Sequence, residues 1–202
     1  NRFKRIAYDY DLISGKVNKV AYQAGDQDEF YHKYFYDAEN RLTDVYTSDD
    51  SLTWEKDNRL SYYKHGPLAK SIIGQNQVQG IDYAYTIQGW LKGINSTAVG
   101  DGKFDMGSDG TGLNAQVARD AFGFALHYFS TADTKDYKPI NVNAKPFANA
   151  AAVGFGFVSL YNGNIAAMSV NTPKLGEALL FTHKYDQLNR LVKTNTYKGL
   201  NP

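Results

Sequence analysis

Cysteine is absent from the 202 residues, which excludes disulfides, thiolate metal sites and thiol nucleophiles together. Excess charge is nearly absent too: 22 Lys and Arg stand against 21 Asp and Glu, leaving +1. That balance gives no electrostatic case for nucleic acid or an anionic membrane as partner. No apolar run approaches the ~18–20 residues of a membrane-crossing helix. The opening Asn1-Arg2-Phe3-Lys4-Arg5 has neither an initiator Met nor the apolar core of a signal peptide, so the chain reads as a piece of a longer protein. Good helix formers are few, with 4 Glu and 2 Met against 17 Asp, 16 Asn, 18 Gly and 16 Tyr. Asp, Asn and Gly form turns, whereas Tyr and Phe suit the half-buried pleat of a sheet. The composition predicts a mainly all-β chain.

A repeat runs through it. Tyr36-Asp37-Ala38-Glu39-Asn40-Arg41-Leu42 returns as Tyr185-Asp186-Gln187-Leu188-Asn189-Arg190-Leu191, and a looser copy runs from Tyr10-Asp11 through Gly15 to Lys16-Val17. Two degenerate copies follow the same logic, Tyr62-Tyr63-Lys64-His65-Gly66-Pro67-Leu68 and Tyr85-Thr86-Ile87-Gln88-Gly89-Trp90-Leu91. The tyrosines of Tyr10, Tyr36, Tyr63 and Tyr85 are then 26, 27 and 22 residues apart. That step holds two strands and two turns. In each unit a strand ends at Tyr, and the Asp carboxylate accepts an N–H two residues on. Asn or Gly supplies a left-handed residue, and Arg-Leu or Lys-Val resumes the strand with Arg in reach of the turn carboxylate. One such hairpin cannot bury its apolar face alone, but stacked hairpins can, and the tyrosines are expected to form cross-strand aromatic ladders.

The pattern Tyr-Asp-x-x-Asn/Gly-Arg-Leu resembles the YD repeat of RHS-repeat proteins, a group that includes bacterial polymorphic toxins, the C component of insecticidal toxin complexes and the teneurins. His65-Gly66-Pro67-Leu68-Ala69, the run from Gly80 to Lys92 and Leu160-Tyr161-Asn162-Gly163-Asn164-Ile165-Ala166 are similar to stretches of secreted bacterial members. The resemblance covers roughly residues 5–95 and 155–198. It implies antiparallel hairpins forming part of a spiralling β-shell, without catalytic, cofactor-binding or metal-binding residues in the repeats. It implies a non-catalytic wall segment of a large secreted or cell-surface protein that encloses or presents a toxin-like polypeptide. Its partners would be neighbouring repeats, the enclosed cargo and the protein secretion machinery. The expected organisation is repeat hairpins over 1–95, an irregular insertion over 96–154 and further hairpins over 155–202, as one continuous fragment.

Between Ser96 and Asn143 the repeat is lost. Gly100–Gly112 reads as a surface loop. Leu113, Val117, Ala118 and Ala121 share one helical face, which allows a short helix over 113–121. Phe122–Phe129 reads as a strand with Asp136–Pro139 as its exit, and Lys145–Gly154 carries no pattern. Phe155–Tyr161 and Ile165–Val170 read as strands around an Asn162-Gly163 hairpin turn.

The chemical alternatives are weaker. Gly110-Thr111-Gly112-Leu113-Asn114-Ala115 has the dinucleotide-binding spacing but no strand before it, so a plain loop is favoured. Asp101, Asp105 and Asp109 recur every fourth residue without the closing Glu of a calcium loop. His32, His65, His127 and His183 have no metal-ligand spacing; His32 and His183 fit cross-strand packing. Glu29, Glu39, Glu55 and Glu177 lie in or beside turns, where nothing pairs them for acid–base work. Trp54, Trp90 and the tyrosines are expected to pack between strands, with a carbohydrate-binding or adhesive surface as the alternative.

Overall fold

A computed structural model describes residues 3–98, 105–130, 147 and 156–200. The chain is all-β. Twelve strands pair antiparallel, and the described residues contain no α-helix, only single 3-10 turns at Gly112–Asn114 and Pro173–Leu175. No helix among them is long and apolar enough to cross a membrane. Asp101, the exit at 136–139 and most of the unpatterned segment 145–154 lie outside the described residues.

The chain forms two compact units, Asn1–Gly80 and Ile81–Pro202. The first is a meander of β1 (Ile6–Tyr10), β2 (Val17–Tyr22), β3 (Phe30–Tyr36), β4 (Leu42–Ser48), β5 (Glu55–Tyr62) and β6 (Leu68–Ile73), each paired to the next. Apolar residues are spread over both faces of these strands, so neither face closes into a core. Tyr31, 7% exposed, is the one buried hydrophobic side chain among the described residues of this unit.

The second unit holds most of β7 (Gln79–Tyr85), then β8 (Leu91–Ile94), β9 (Gly123–His127), β10 (Ala167–Asn171), β11 (Ala178–Tyr185) and β12 (Leu191–Leu200), again each paired to the next. One face is built of small side chains. The register aligns Ala84, Gly93, Ala125, Ser169 and Leu180 in one row, with His127, Ala167 and Thr182 in a neighbouring one. Small residues let aromatic rings lie close to the backbone. Phe157 packs on Ala167, Ala178 and Leu180, and a Cβ on Gly93 would come within 2.6 Å of the Phe147 ring. Both rings come from the long connection between β9 and β10. On the same unit Leu126, Tyr128 and Phe129 gather Trp90, Leu91, Phe124, Ile165 and Met168 into a second cluster.

Two expectations for the middle segment are corrected. The helix over 113–121 is reduced to the single turn Gly112–Asn114. Leu113, Ala118 and Ala121 all point to solvent and only Val117 is buried, so the apolar stripe has nothing to pack on and a helix this short does not hold without packing. No hairpin forms around Asn162-Gly163 either: 156–160 is not a strand, and β10 starts only at Ala167. Asn162 and Asn164 instead turn their Nδ2 groups sideways to Asn189 Oδ1, at 2.8 and 3.1 Å. The strand expected over 122–129 is present as β9.

Candidate functional site

The recurring element is the turn after each strand-ending tyrosine. In the turn at Asp37, Oδ1 accepts the N–H groups of Glu39 and Arg41 at 3.0 and 2.8 Å, and Oδ2 accepts Arg41 Nε at 2.7 Å. Asp37 N–H donates to Arg41 O and Asn40 N–H to Asp37 O. Asn40 sits at φ 62°. The turn at Asp186 repeats this: Oδ1 takes the N–H groups of Leu188 and Arg190 at 2.9 and 3.0 Å, Oδ2 takes Arg190 Nε at 2.7 Å, and Asn189 has φ 60°. The one-residue-longer turn at Asp11 uses Oδ1 for Ile13 and Ser14, with Gly15 at φ 70°. Thr86 replaces the carboxylate by a hydroxyl that accepts Trp90 N–H at 3.2 Å, and Gly89 takes φ 84°.

In the copy Tyr62–Leu68 the tyrosine from which the spacing is counted moves by one residue. Tyr63, not a residue after it, fills the aspartate position, since its N–H bonds Pro67 O and its carbonyl accepts Gly66 N–H. The strand-ending tyrosine is therefore Tyr62, and 26 residues separate both Tyr10 from Tyr36 and Tyr36 from Tyr62. In all five copies the pairing slips just before the tyrosine, giving Tyr10↔Val17, Tyr36↔Leu42, Tyr62↔Leu68, Tyr85↔Leu91 and Tyr185↔Leu191. A left-handed residue beside a bulge closes each hairpin.

The tyrosines do not form the expected ladder. Tyr36 on β3 and Tyr62 on β5 have a whole strand between them, about 10 Å at the usual inter-strand spacing. Each instead tethers its hairpin to the one before. Tyr36 Oη donates to Val17 O at 2.9 Å and Tyr62 Oη to Leu42 O at 2.8 Å, and in the second unit Tyr128 donates to Leu91 O and Tyr185 to Ile165 O, both at 2.9 Å. The acceptors Val17, Leu42 and Leu91 each open the return strand of a preceding turn, and that carbonyl faces the next hairpin. The Arg41 guanidinium also lies over the Tyr62 ring, 4.6 Å from its centre. Turn carboxylate, arginine and the next tyrosine thus form one chain of contacts. Tyr128 has no Asp after it and lies 37 residues beyond its acceptor, so the sequence pattern passed over it; for Tyr36 and Tyr62 the signal is a tyrosine 19 or 20 residues after the first return-strand residue.

The electrostatics match an anchoring role. Burial pulls the Asp37 carboxyl upward, but the Arg41 N–H and guanidinium outweigh it and hold it below the ordinary range. The Arg190 N–H and side chain hold Asp186 low, and the Ser14 N–H does the same for Asp11. A carboxylate stabilised as an anion serves as an acceptor for backbone N–H groups. Trp90 packs 5.0 Å from the Tyr128 ring and against Gly163, and His32 lies between Phe30 and Tyr34. Among the described residues no group of three or more His, Asp or Glu is placed to hold a metal ion. His127 is buried, bonded to Ser169 Oγ at 2.8 Å, and driven down to about 3 by burial and by Lys92.

Asn40→Val places a β-branched residue at positive φ and is expected to cost about 1–2 kcal/mol. Urea unfolding of the variant measures it; an unchanged midpoint would mean that the turn is not built this way. No protein-family model matches the chain, and no curated protein matches its sequence.

Proposed function

We propose that this chain is a non-catalytic wall segment of a larger RHS/YD-repeat protein, exported or displayed at the cell surface, which encloses or presents a toxin-like polypeptide. The supporting observation is the tether: Tyr36, Tyr62 and Tyr128 each bond the residue that opens an earlier return strand, and Tyr185 bonds Ile165 just ahead of β10. A unit that grips its predecessor by one fixed contact can be added indefinitely, as repeat architectures require. The first unit adds a second support. Its sheet has almost no buried apolar side chain of its own, and a sheet face reaches full burial only against another layer. Enclosed or neighbouring polypeptide would supply that layer.

The test uses the longer parent protein carrying its cargo segment. Tyr36→Phe with Tyr62→Phe removes two tethers and keeps the rings, at about 1 kcal/mol each. Limited proteolysis should show the cargo protected in the parent and cut faster in the double variant. Cargo digested at one rate in both proteins, and in a parent lacking these 202 residues, would overturn the wall reading.

A further inference from the structure

One face of the first unit carries cations set among aromatic rings. The register places Lys19 opposite Lys33, Lys33 opposite Tyr46, and Tyr46 opposite Lys56, in one row across β2, β3, β4 and β5. Lys19 lies 4.7 Å from the Tyr31 ring centre and 5.6 Å from that of Trp54, and Lys33 lies 5.3 and 5.4 Å from those of Phe35 and Trp54. Lys56 lies 4.9 Å from the Tyr46 ring centre. Like charges directly opposite each other on neighbouring strands are destabilising, yet Lys19 and Lys33 are so placed. Their ammonium groups meet no carboxylate among the described residues: Lys19 donates to Ser51 Oγ at 2.8 Å, and Asp9, its opposite on β1, makes no ion pair with it. Lys56 and Arg59 share the single carboxylate of Asp44, at 2.7 and 3.6 Å. The row runs into an open groove of about 320 Å³ lined by Tyr46, Trp54, Lys56, Arg59, Gln75 and Gln77.

We infer that this face binds an acidic polysaccharide, with carboxylates or sulfates on the lysine row and sugar rings against Trp54 and Tyr46. Lys19 and Lys33, on neighbouring strands, lie about 4.8 Å apart at the usual spacing, comparable to the advance of one pyranose along a linear glycan, and Lys56 follows two strands on, beyond the Tyr46 ring. An extended acidic peptide offers like-facing side chains only every second residue, at about 6.6 Å, and falls out of step. Single-stranded nucleic acid also stacks on aromatic rings, and the oligo-dT arm of the test below tells it apart. Gln75 and Gln77 at the groove offer carboxamides suited to sugar hydroxyls. The groove stands whether or not the chain serves as a wall.

Affinity electrophoresis of the 202-residue chain tests the inference with polygalacturonate, dextran, poly-L-glutamate and oligo-dT as probes. Polygalacturonate should retard the protein, less so as salt is raised, and dextran should not. Trp54→Ala should weaken the interaction about tenfold and Lys33→Gln about fivefold, the losses of one stacked ring and one charge contact. Lys33 is exposed, so its variant keeps the test decisive if circular dichroism shows that Trp54→Ala does not fold. Absence of retardation by polygalacturonate, tighter retention by poly-L-glutamate or oligo-dT, or wild-type binding by Lys33→Gln would overturn the inference.

Discussion

Gly123→Ala is expected to destabilise the second unit by about 3 kcal/mol, the upper end of the cost of overpacking a close contact. A Cβ built on Gly123 would lie 1.9 Å from the Ser96 carbonyl oxygen and 2.6 Å from its carbon. Both are backbone atoms, so no side chain can swing away. The segment that would have to yield is pinned on both sides: Asn95 Nδ2 donates to Phe122 O at 3.0 Å, and Asn171 Nδ2 donates to Thr97 O at 2.7 Å. Asn95 itself, fully buried at φ 53°, also accepts Asp82 N–H through Oδ1. Relief of the clash would break these side-chain amide hydrogen bonds in a dry site, which adds the cost of leaving their buried groups unpaired. Gly156→Ala is the control, because a Cβ there meets nothing within 4 Å. Chemical unfolding of the two variants checks the prediction; equal midpoints would mean that β9 does not approach the 95–97 segment this closely.

Acidification should weaken the second unit from about pH 6.5 downward. His127 is neutral when folded, with its pKa lowered to about 3 by burial and by the neighbouring Lys92, whereas in the unfolded chain it titrates near 6.5. Between those values the unfolded state binds the extra proton, so stability falls with pH. At about 1.4 kcal/mol per pH unit, the loss reaches about 3 kcal/mol by pH 4. His183, also lowered by burial, acts in the same direction. The turn carboxylates behave differently: Asp37 and Asp186 are held low, so their stabilisation is complete above the ordinary Asp value near 4 and is lost only below it. His127→Asn should therefore flatten the dependence between pH 6.5 and 4 while leaving the steeper acid limb in place. Thermal unfolding followed across that range measures it. A wild-type profile flat from pH 7 to 4.5 would show that the imidazole reaches water.

The turns were legible in the sequence because their chemistry is local. Asp37, Asn40 and Arg41 satisfy one another within five residues, and the same letters at Asp186, Asn189 and Arg190 return the same hydrogen bonds to within about 0.2 Å. In the copy around Tyr62 the spacing was counted one residue late, because a tyrosine stands where the carboxylate should be and two tyrosines then compete for one position. The 113–121 helix failed for a related reason: periodicity alone does not supply a surface to bury Leu113. The Asn162-Gly163 turn failed because its asparagines are spent on Asn189, a partner 25 or more residues away.

Composition and local pattern alone determined that this chain is antiparallel β, where the hairpins of its repeat close and which residue of each repeat turn takes left-handed backbone, since each of those depends on neighbours a few positions apart. Only the tertiary structure decided where the tyrosines reach, why the second unit keeps a face of alanine, glycine and serine, and that lysines gather around Trp54. Those outcomes depend on strand register and on which face a side chain takes, and a shift of one residue in either would reverse them.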